Sequence, residues 1–226
     1  MTIGFKIKPI RHRIDPETAA AFRKLPVANV SDCMSRMFAG GAKLRPMHRE
    51  GVLAGPAFTV RTRPGDNLMV HKALDIAAKG DVIVVDAAGD LTNAIIGEIM
   101  VNYAIRRGIA GIVIWGAIRD YGTIRRQDWP VYAAGVTHRG PYKDGPGEIG
   151  VAIALDGMVV EPGDLILGDE DGLVCVPFDA AAKVLADTQA KHAAEEKTLA
   201  AIAAGQATDR SWIDKSLQRL GCEIEE

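Results

Sequence analysis

The stretch that decides the fold runs from Gly80 to Gly122 and reads GDVIVVDAAGDLTNAIIGEIMVNYAIRRGIAGIVIWGAIRDYG. Val82 to Val85 is an unbroken apolar, β-branched run, the pattern of a strand covered on both faces. A polar turn from Asp86 to Asn93 follows, with Gly89 as its flexible point. Ile95, Ile96, Ile99, Met100, Tyr103 and Ala104 then recur at helical spacing. Gly108 stops that helix after Arg106 and Arg107, where cations suit the negative helix end. Gly111 to Trp115 reads as a second buried strand. A strand–helix–strand unit implies a parallel pair joined by a right-handed crossover. In such units ligands gather at the carboxyl ends of the strands and the amino end of the helix. Asp86, Asp90, Gly97, Glu98, Arg119 and Asp120 fall there.

Those residues suit one kind of ligand. The first N–H groups of a helix have no internal partner and bind anions. Arg119 adds a planar cation that can hold a carboxylate through two parallel hydrogen bonds. Asp120 is a hard oxygen ligand of the sort that Mg²⁺ or Mn²⁺ takes. An amide nest, an arginine and a metal-binding carboxylate together can hold a 2-oxo acid. The same residues also read as a loop ion pair and an ordinary first-turn glutamate, and composition alone does not separate the two.

The spacing does. GEIM at 97–100 and Arg119-Asp120 leave twenty residues between Glu98 and Arg119. This resembles the acidic-X20-Arg-Asp pattern of the class II pyruvate aldolases that cleave 4-hydroxy-4-methyl-2-oxoglutarate and 4-carboxy-4-hydroxy-2-oxoadipate. Those enzymes share a fold with the regulator of ribonuclease E activity, and many relatives carry a mistaken demethylmenaquinone methyltransferase label. The likeness runs from about Val27 to Pro177. Glu98 departs from the pattern, standing where the aldolases usually have Asp; Asp120 stands where the regulator proteins lack one, and its presence favours the metal-dependent branch.

The resemblance implies an α/β fold, an αββα sandwich like the swivelling β/β/α domain, with a mixed central sheet and flanking helices. It implies a divalent-metal-dependent lyase that splits a 4-hydroxy-2-oxo acid into pyruvate and a second oxo acid, with oxaloacetate decarboxylation as a side activity. The alternative is a non-catalytic regulatory protein like the ribonuclease E inhibitor. Arg119 and Asp120 are the expected catalytic residues, Asp120 being the ligand of Mg²⁺ or Mn²⁺. Gly97, Glu98, Ile99 and Met100 are expected around the substrate carboxylate, and Asn67 as a further polar contact. A homotrimer, or a hexamer of two, is the implied assembly, with Asp32 and Glu170 as candidates to reach a neighbour's cleft. A methyltransferase is disfavoured: DAAGD after the first strand is not the glycine-rich loop of a nucleotide-like cofactor.

Composition sets the outer bounds. A hydrophobic fraction of 48% and a charged fraction of 25% are those of a globular protein. A net charge of −2 argues against a nucleic-acid surface. No apolar run approaches the roughly 20 residues of a membrane span, and MTIGFKIKPIRHR has no signal-peptide core, so a cytoplasmic location is expected. Cys33, Cys175 and Cys222 form no C-x-x-C, and Cys175 lies in a core-like run.

In chain order, Asp15-Pro16 starts a helix, and Asn29 or Ser31 caps another. Val52 to Arg61 is a strand bent at Gly55-Pro56, and Asp66 or Asn67 caps a helix from Leu68 to Lys79. His71 reads as structural or surface. The loop THRGPYKDGPG (137–147) is a lid, an oligomer contact or a solvated connection, with Lys143 on a mobile segment. Ile149 to Leu155, Met158 to Val160, Leu165 to Leu167 and Leu173 to Val176 are short strands, and Asp156-Gly157 is a hairpin signal. Residues 1–178 thus make one α/β domain. Residues 179–226 make a helical extension, expected to pack on the body or on a neighbouring subunit.

Overall fold

The computed structural model describes residues 3–223. The chain divides into two compact units, Met1–Thr188 and Gln189–Glu226. In the first, β3 (Leu53–Thr62), β4 (Val82–Asp86), β6 (Gly111–Ile118) and β7 (Val131–Val136) lie side by side and parallel. Beyond β3 come β8 (Gly147–Ile149), antiparallel to it, and then β1 (Phe5–Ile7). On the far side β2 (Arg45–Pro46) pairs antiparallel with β7. The sheet is mixed, as expected.

Alternation along the strands shows why β4 and β6 read as continuous apolar runs. Ile83, Val85, Ile112 and Ile114 join a core with Met69 and Leu74 of α3 (Leu68–Ile76) and Met100 and Val101 of α4 (Glu98–Arg107). The intervening Val82, Val84 and Val113 face the opposite core, with Tyr132, Ile153 and Met158. A strand buried on both faces has no polar side to alternate with. A second β layer supplies that opposite core: β11 (Leu165–Gly168) and β12 (Leu173–Val176), through Ile166 and Cys175. Their other faces, Leu165, Leu167, Val174 and Val176, pack on α1 (Pro16–Phe22), α2 (Val27–Cys33) and the start of α6 (Ala181–Ala203). The layers are therefore helix, sheet, sheet, helix.

β3 links the two β layers. Its first half, Leu53 to Pro56, pairs with β11, and from Ala57 onward it pairs with β4. Pro56, which has no N–H to give, sits where the partner changes. The Asp156-Gly157 signal holds: Leu155 of β9 (Ile153–Leu155) opposes Met158 of β10 (Met158–Val160). Both turn residues have positive φ, 47° and 92°, as a type I′ turn requires.

Three local expectations change. Ile95 and Ile96 are not helical: β5 (Ala94–Ile96) pairs with the end of β6, and α4 begins only at Glu98, after an extended Gly97. A short apolar run fits either period, and pairing with Ala117 and Ile118 decides it. The expected strand Ile149 to Leu155 is broken, because Gly150 turns with φ 72° between β8 and β9. The cap of α2 comes from neither Asn29 nor Ser31: Pro26 holds the N-cap position, and the Val27 N–H donates to Asp169 Oδ2 at 2.9 Å, across 142 positions of sequence.

The second unit contains the end of α6 and α7 (Trp212–Leu220). No residue of α7 is buried, and Trp212 and Leu220 are exposed. No helix among the described residues is long and apolar enough to cross a membrane.

Candidate functional site

β5 is what builds the site. It extends the sheet past the end of β4 and delivers the start of α4 beside the end of β6. There Arg119 N–H donates to Ile96 O at 3.0 Å, and the Glu98 N–H donates to Asp120 Oδ2 at 2.9 Å. Asp120 thus caps α4 from 22 residues away. Its backbone is left-handed (φ 57°), a conformation Asp tolerates better than most residues and one that turns the chain from β6 into α5 (Tyr121–Ile124). The approach is so close that a Cβ at Gly97 would overlap Asp120 Oδ2 and come within 2.9 Å of Arg119 Cγ. A side chain there would displace Asp120 and Arg119.

The structure brings most of the expected residues to one cleft of about 280 Å³, lined by Asn67, His71, Ile95 to Gly97, Ile99, Met100, Arg119, Gly140, Pro141 and Lys143. Arg119 keeps a long ion pair to Asp120 (Nε to Oδ2, 3.8 Å) and makes no side-chain hydrogen bond to any described residue. Its guanidinium fork is available to a ligand. Asn67 is 2% exposed. Its Nδ2 donates to Ile95 O at 2.9 Å, while its Oδ1 is buried without a partner. An unpaired buried acceptor costs stability, so a ligand that donates to it is favoured.

The expected amide nest is smaller than the sequence suggested. Of the N–H groups of Glu98, Ile99 and Met100, the first is taken by Asp120 and the third by Gly97 O at 3.1 Å. The Ile99 N–H is the one left over among the described residues. The Glu98 side chain is exposed and outside the cleft lining. Asp86 and Asp90 serve their own turn, accepting from the Ala88 N–H and the Thr92 hydroxyl.

Sequence reasoning missed two cleft residues. His71 lies one turn into α3 and faces the cleft, and Lys143 comes from the loop between β7 and β8. That loop is tied down. Asp66, fully buried, accepts from the Leu68 N–H through Oδ1 and from the Asp144 and Gly145 N–H groups through Oδ2, and Arg63 pairs with it at 3.2 Å. Further along, Ala94 N–H donates to Arg139 O and Asn93 Nδ2 to Gly140 O. The loop is thus hydrogen-bonded to the body at several points along its length. A lone His and a Gly- and Pro-rich loop carry no signal of this, because the anchor is a single carboxylate 78 residues away. Asp66→Ala strips acceptors from three backbone donors, and we expect a loss of about 3 kcal/mol, seen as a Tm lower by about 6–12 °C.

Partial desolvation by the cleft walls lowers the His71 pKa below its ordinary value; the Lys143 charge adds to this and Asp75 opposes it. The ring is therefore neutral at pH 7.

For a metal, Asp120 offers one carboxylate oxygen, Oδ1, with no hydrogen bond to a described residue. No group of three or more His, Cys, Asp or Glu that could hold a metal occurs among the described residues. One carboxylate plus water and ligand oxygens is a donor set that Mg²⁺ or Mn²⁺ accepts.

Asp32 and Glu170 lie elsewhere. Asp32 of α2 pairs with Arg36 in the turn after that helix, and Glu170 sits in the β11–β12 turn beside the helix start. Gly168, just before this turn, registers with Leu53 at the start of β3, whereas Arg119 follows the end of β6. The turn and the cleft thus stand at opposite ends of the sheet, roughly 25 Å apart at about 3.3 Å per residue. Within one chain these acids do not reach the cleft. A separate cavity of about 840 Å³, lined by residues that include Lys8, Arg11, His12, Phe38 and Phe178, contains none of the site residues.

A protein of Halalkalibacterium halodurans, provisionally named 4-hydroxy-4-methyl-2-oxoglutarate aldolase, is 37% identical over 87% of this chain and 93% of its own length. An uncharacterised Pseudomonas syringae protein superposes with a TM-score of 0.78 at 27% identity, covering 86% of this chain and 96% of that one. RraAS2 of Streptomyces coelicolor, described as an unusual member of the RNase ES inhibitor RraA protein family, gives 0.75 at 26% identity, over 83% and 98%. The family model described as Aldolase/RraA matches residues 27–175, the span that holds the whole cleft, and the chain belongs to this RraA-like family.

Proposed function

We propose that the protein is a divalent-metal-dependent lyase that cleaves a 4-hydroxy-2-oxo acid to pyruvate and a second oxo acid, and that decarboxylates oxaloacetate as a side reaction. One observation carries the reading: the Arg119 guanidinium, with no side-chain hydrogen bond to a described residue, and the unpaired Asn67 Oδ1 line one cleft, and Asp120 stands just outside that lining, 3.8 Å from Arg119 Nε. The name of the Halalkalibacterium relative supports it. Cleavage breaks the C3–C4 bond, and its electron pair passes to C3 to give the enolate of pyruvate. The C4 hydroxyl loses its proton and C4 becomes a carbonyl; a proton then returns to C3. Arg119 orients the 2-oxo acid and neutralises the charge that develops on it. The Ile99 N–H donates to the carboxylate, and Asn67 Oδ1 accepts from a substrate hydroxyl. His71, neutral at pH 7, takes up the C4 hydroxyl proton. A divalent ion held by Asp120 with water supplies the Lewis acid that polarises the 2-oxo group. The working unit we propose is a cytoplasmic trimer, or a hexamer of two, in which Asp32 and Glu170 approach a neighbour's cleft.

The test is pyruvate release from oxaloacetate and from 4-hydroxy-2-oxo acids, with Mg²⁺ and then with chelator. Release that chelator stops and Mg²⁺ restores is expected. No release from any of them leaves the regulatory-protein reading, which the likeness to the Streptomyces protein supports. The proton path has its own signature. The acid limb of kcat/KM should fall below pH 6.5, since the His71 pKa is lowered. Lys143→Ala removes a charge that lowers it, so the limb should move to higher pH. A limb unmoved in both Lys143→Ala and His71→Gln takes His71 out of the proton path.

A further inference from the structure

The proposed reaction uses one cation of the cleft and leaves another idle. The lining holds Arg119 and Lys143, and no carboxylate. Asp120 lies just outside it, 3.8 Å from Arg119 Nε. Arg119 serves the 2-oxo acid end. Lys143 is exposed and makes no ion pair with a described residue, yet its charge is felt at His71. A lysine on a loop is a hydrated point charge on a flexible stem, so its mounting decides whether it can read a ligand.

The chain on both sides of Lys143 is fastened to one short turn. Tyr142 N–H donates to Gly65 O at 2.8 Å, and Asn67 N–H donates to Tyr142 O at 3.0 Å. The Asp144 and Gly145 N–H groups donate to Asp66 Oδ2 at 2.8 and 2.9 Å. Residues 65–67 lead straight into α3, so these hydrogen bonds set Lys143 relative to Asn67 and His71. At its other end the loop passes Arg119: a Cβ on Gly140 would come within 3.3 Å of Nη1. Lys143 follows Gly140 by three positions, about 10 Å of chain at most. One small diacid can therefore reach both cations. Between them the lining is Ile95, Ile96 and Met100, apolar surface beside which a charge pair is stronger than in open water.

We propose that Lys143 is the specificity-determining residue of the cleft: its ammonium holds the carboxylate on C4, the one that leaves with the second oxo acid. The assignment rests on the aldolase reading and says which residue selects the departing half. The pyruvyl end lies at Arg119, the C4 hydroxyl lies between Asn67 and His71, and the C4 carboxylate points to the 137–147 loop. A substrate without that carboxylate leaves Lys143 in water and gains nothing from it.

Calorimetry on the whole chain with Mg²⁺ compares 2-oxoglutarate with 2-oxopentanoate, which ends in a methyl group where the diacid has its second carboxylate. Neither carries a C4 hydroxyl, so neither is cleaved. Kd for 2-oxoglutarate should be lower by about tenfold, the scale of a charge-assisted pair at a partly exposed lysine. Lys143→Gln should remove the difference, Lys143→Arg keep it and Lys143→Glu reverse it. Lys72→Gln, which changes an exposed lysine of α3 outside the cleft lining, should leave it as it was. In turnover, the ratio of kcat/KM for 4-hydroxy-2-oxoglutarate to that for 4-hydroxy-2-oxopentanoate should follow the same pattern. Taking the ratio within each variant removes what loss of the Lys143 charge does to His71. A parent with no preference, or a Lys143→Gln protein that keeps the full preference, overturns the assignment. Equal loss in Lys72→Gln does so too, since the net field of the protein would then suffice. Pyruvate release from both hydroxy acids without that preference sinks the role of Lys143 alone. No release from either sinks the aldolase reading, and the departing half as the ligand of Lys143 with it.

Discussion

Asp120→Asn is expected to lower metal-dependent turnover by about three orders of magnitude or more while leaving the fold in place. The capping bond and the proposed metal contact fall on different oxygens of this side chain. Oδ2 accepts from the Glu98 N–H at 2.9 Å and so caps α4. An asparagine keeps a carbonyl oxygen for that bond, and it tolerates the left-handed backbone at this position as well as aspartate does. What the variant lacks is the negative charge, and with it the attraction for a divalent ion. Its Tm should stay within a few degrees of the parent, since the change removes no packing atom. Two measurements decide the matter: kcat over a Mg²⁺ titration, and a thermal melt. Near-parental kcat with unchanged metal dependence would end the assignment of Asp120 as the metal ligand.

Arg119→Lys is expected to cost about 30- to 1,000-fold in kcat/KM, roughly 2–4 kcal/mol of transition-state stabilisation. Lysine keeps the charge and loses the planar fork, so it holds a carboxylate at one point. The surroundings sharpen the expectation. The side chain makes only a 3.8 Å ion pair with Asp120, so little of the fold depends on it. Gly140 lies close against Nη1, where a Cβ would come within 3.3 Å, so the guanidinium is held at the cleft wall by shape. A lysine variant with parental kcat/KM would reduce Arg119 to a loop ion-pair partner.

Much of this protein is written locally. The β-branched runs of β4 and β6 are legible because each is buried on both faces and needs no distant partner to identify it. The Asp156-Gly157 turn and the Gly108 stop are legible because the left-handed conformations they adopt belong to a few residue types. The pairing of Arg119-Asp120 with the start of α4 is legible through fixed spacing, since one strand, one helix and one strand set the distance. The sequence by itself thus determined the α/β class and the sheet core, and its family resemblance pointed to the meeting of Gly97 with Arg119 and Asp120 that the fold displays.

Tertiary structure alone decided the rest, because the deciding contacts join residues far apart in the chain. Ile95 and Ile96 became a strand when the end of β6 offered them partners. Asp169 replaced Asn29 and Ser31 as the cap of α2, and Asp66 turned a Gly- and Pro-rich loop into the wall that presents Lys143. His71 entered the cleft because α3 and α4 start at the same end of the sheet. Two of the three amides expected for the substrate were taken by Asp120 and Gly97 O, a competition for hydrogen bonds that no spacing rule reveals. Sequence patterns record what one segment prefers. Which of several possible partners satisfies a given N–H or carboxylate is settled only when the segments meet, since each buried polar group must be paired and each partner can be used once.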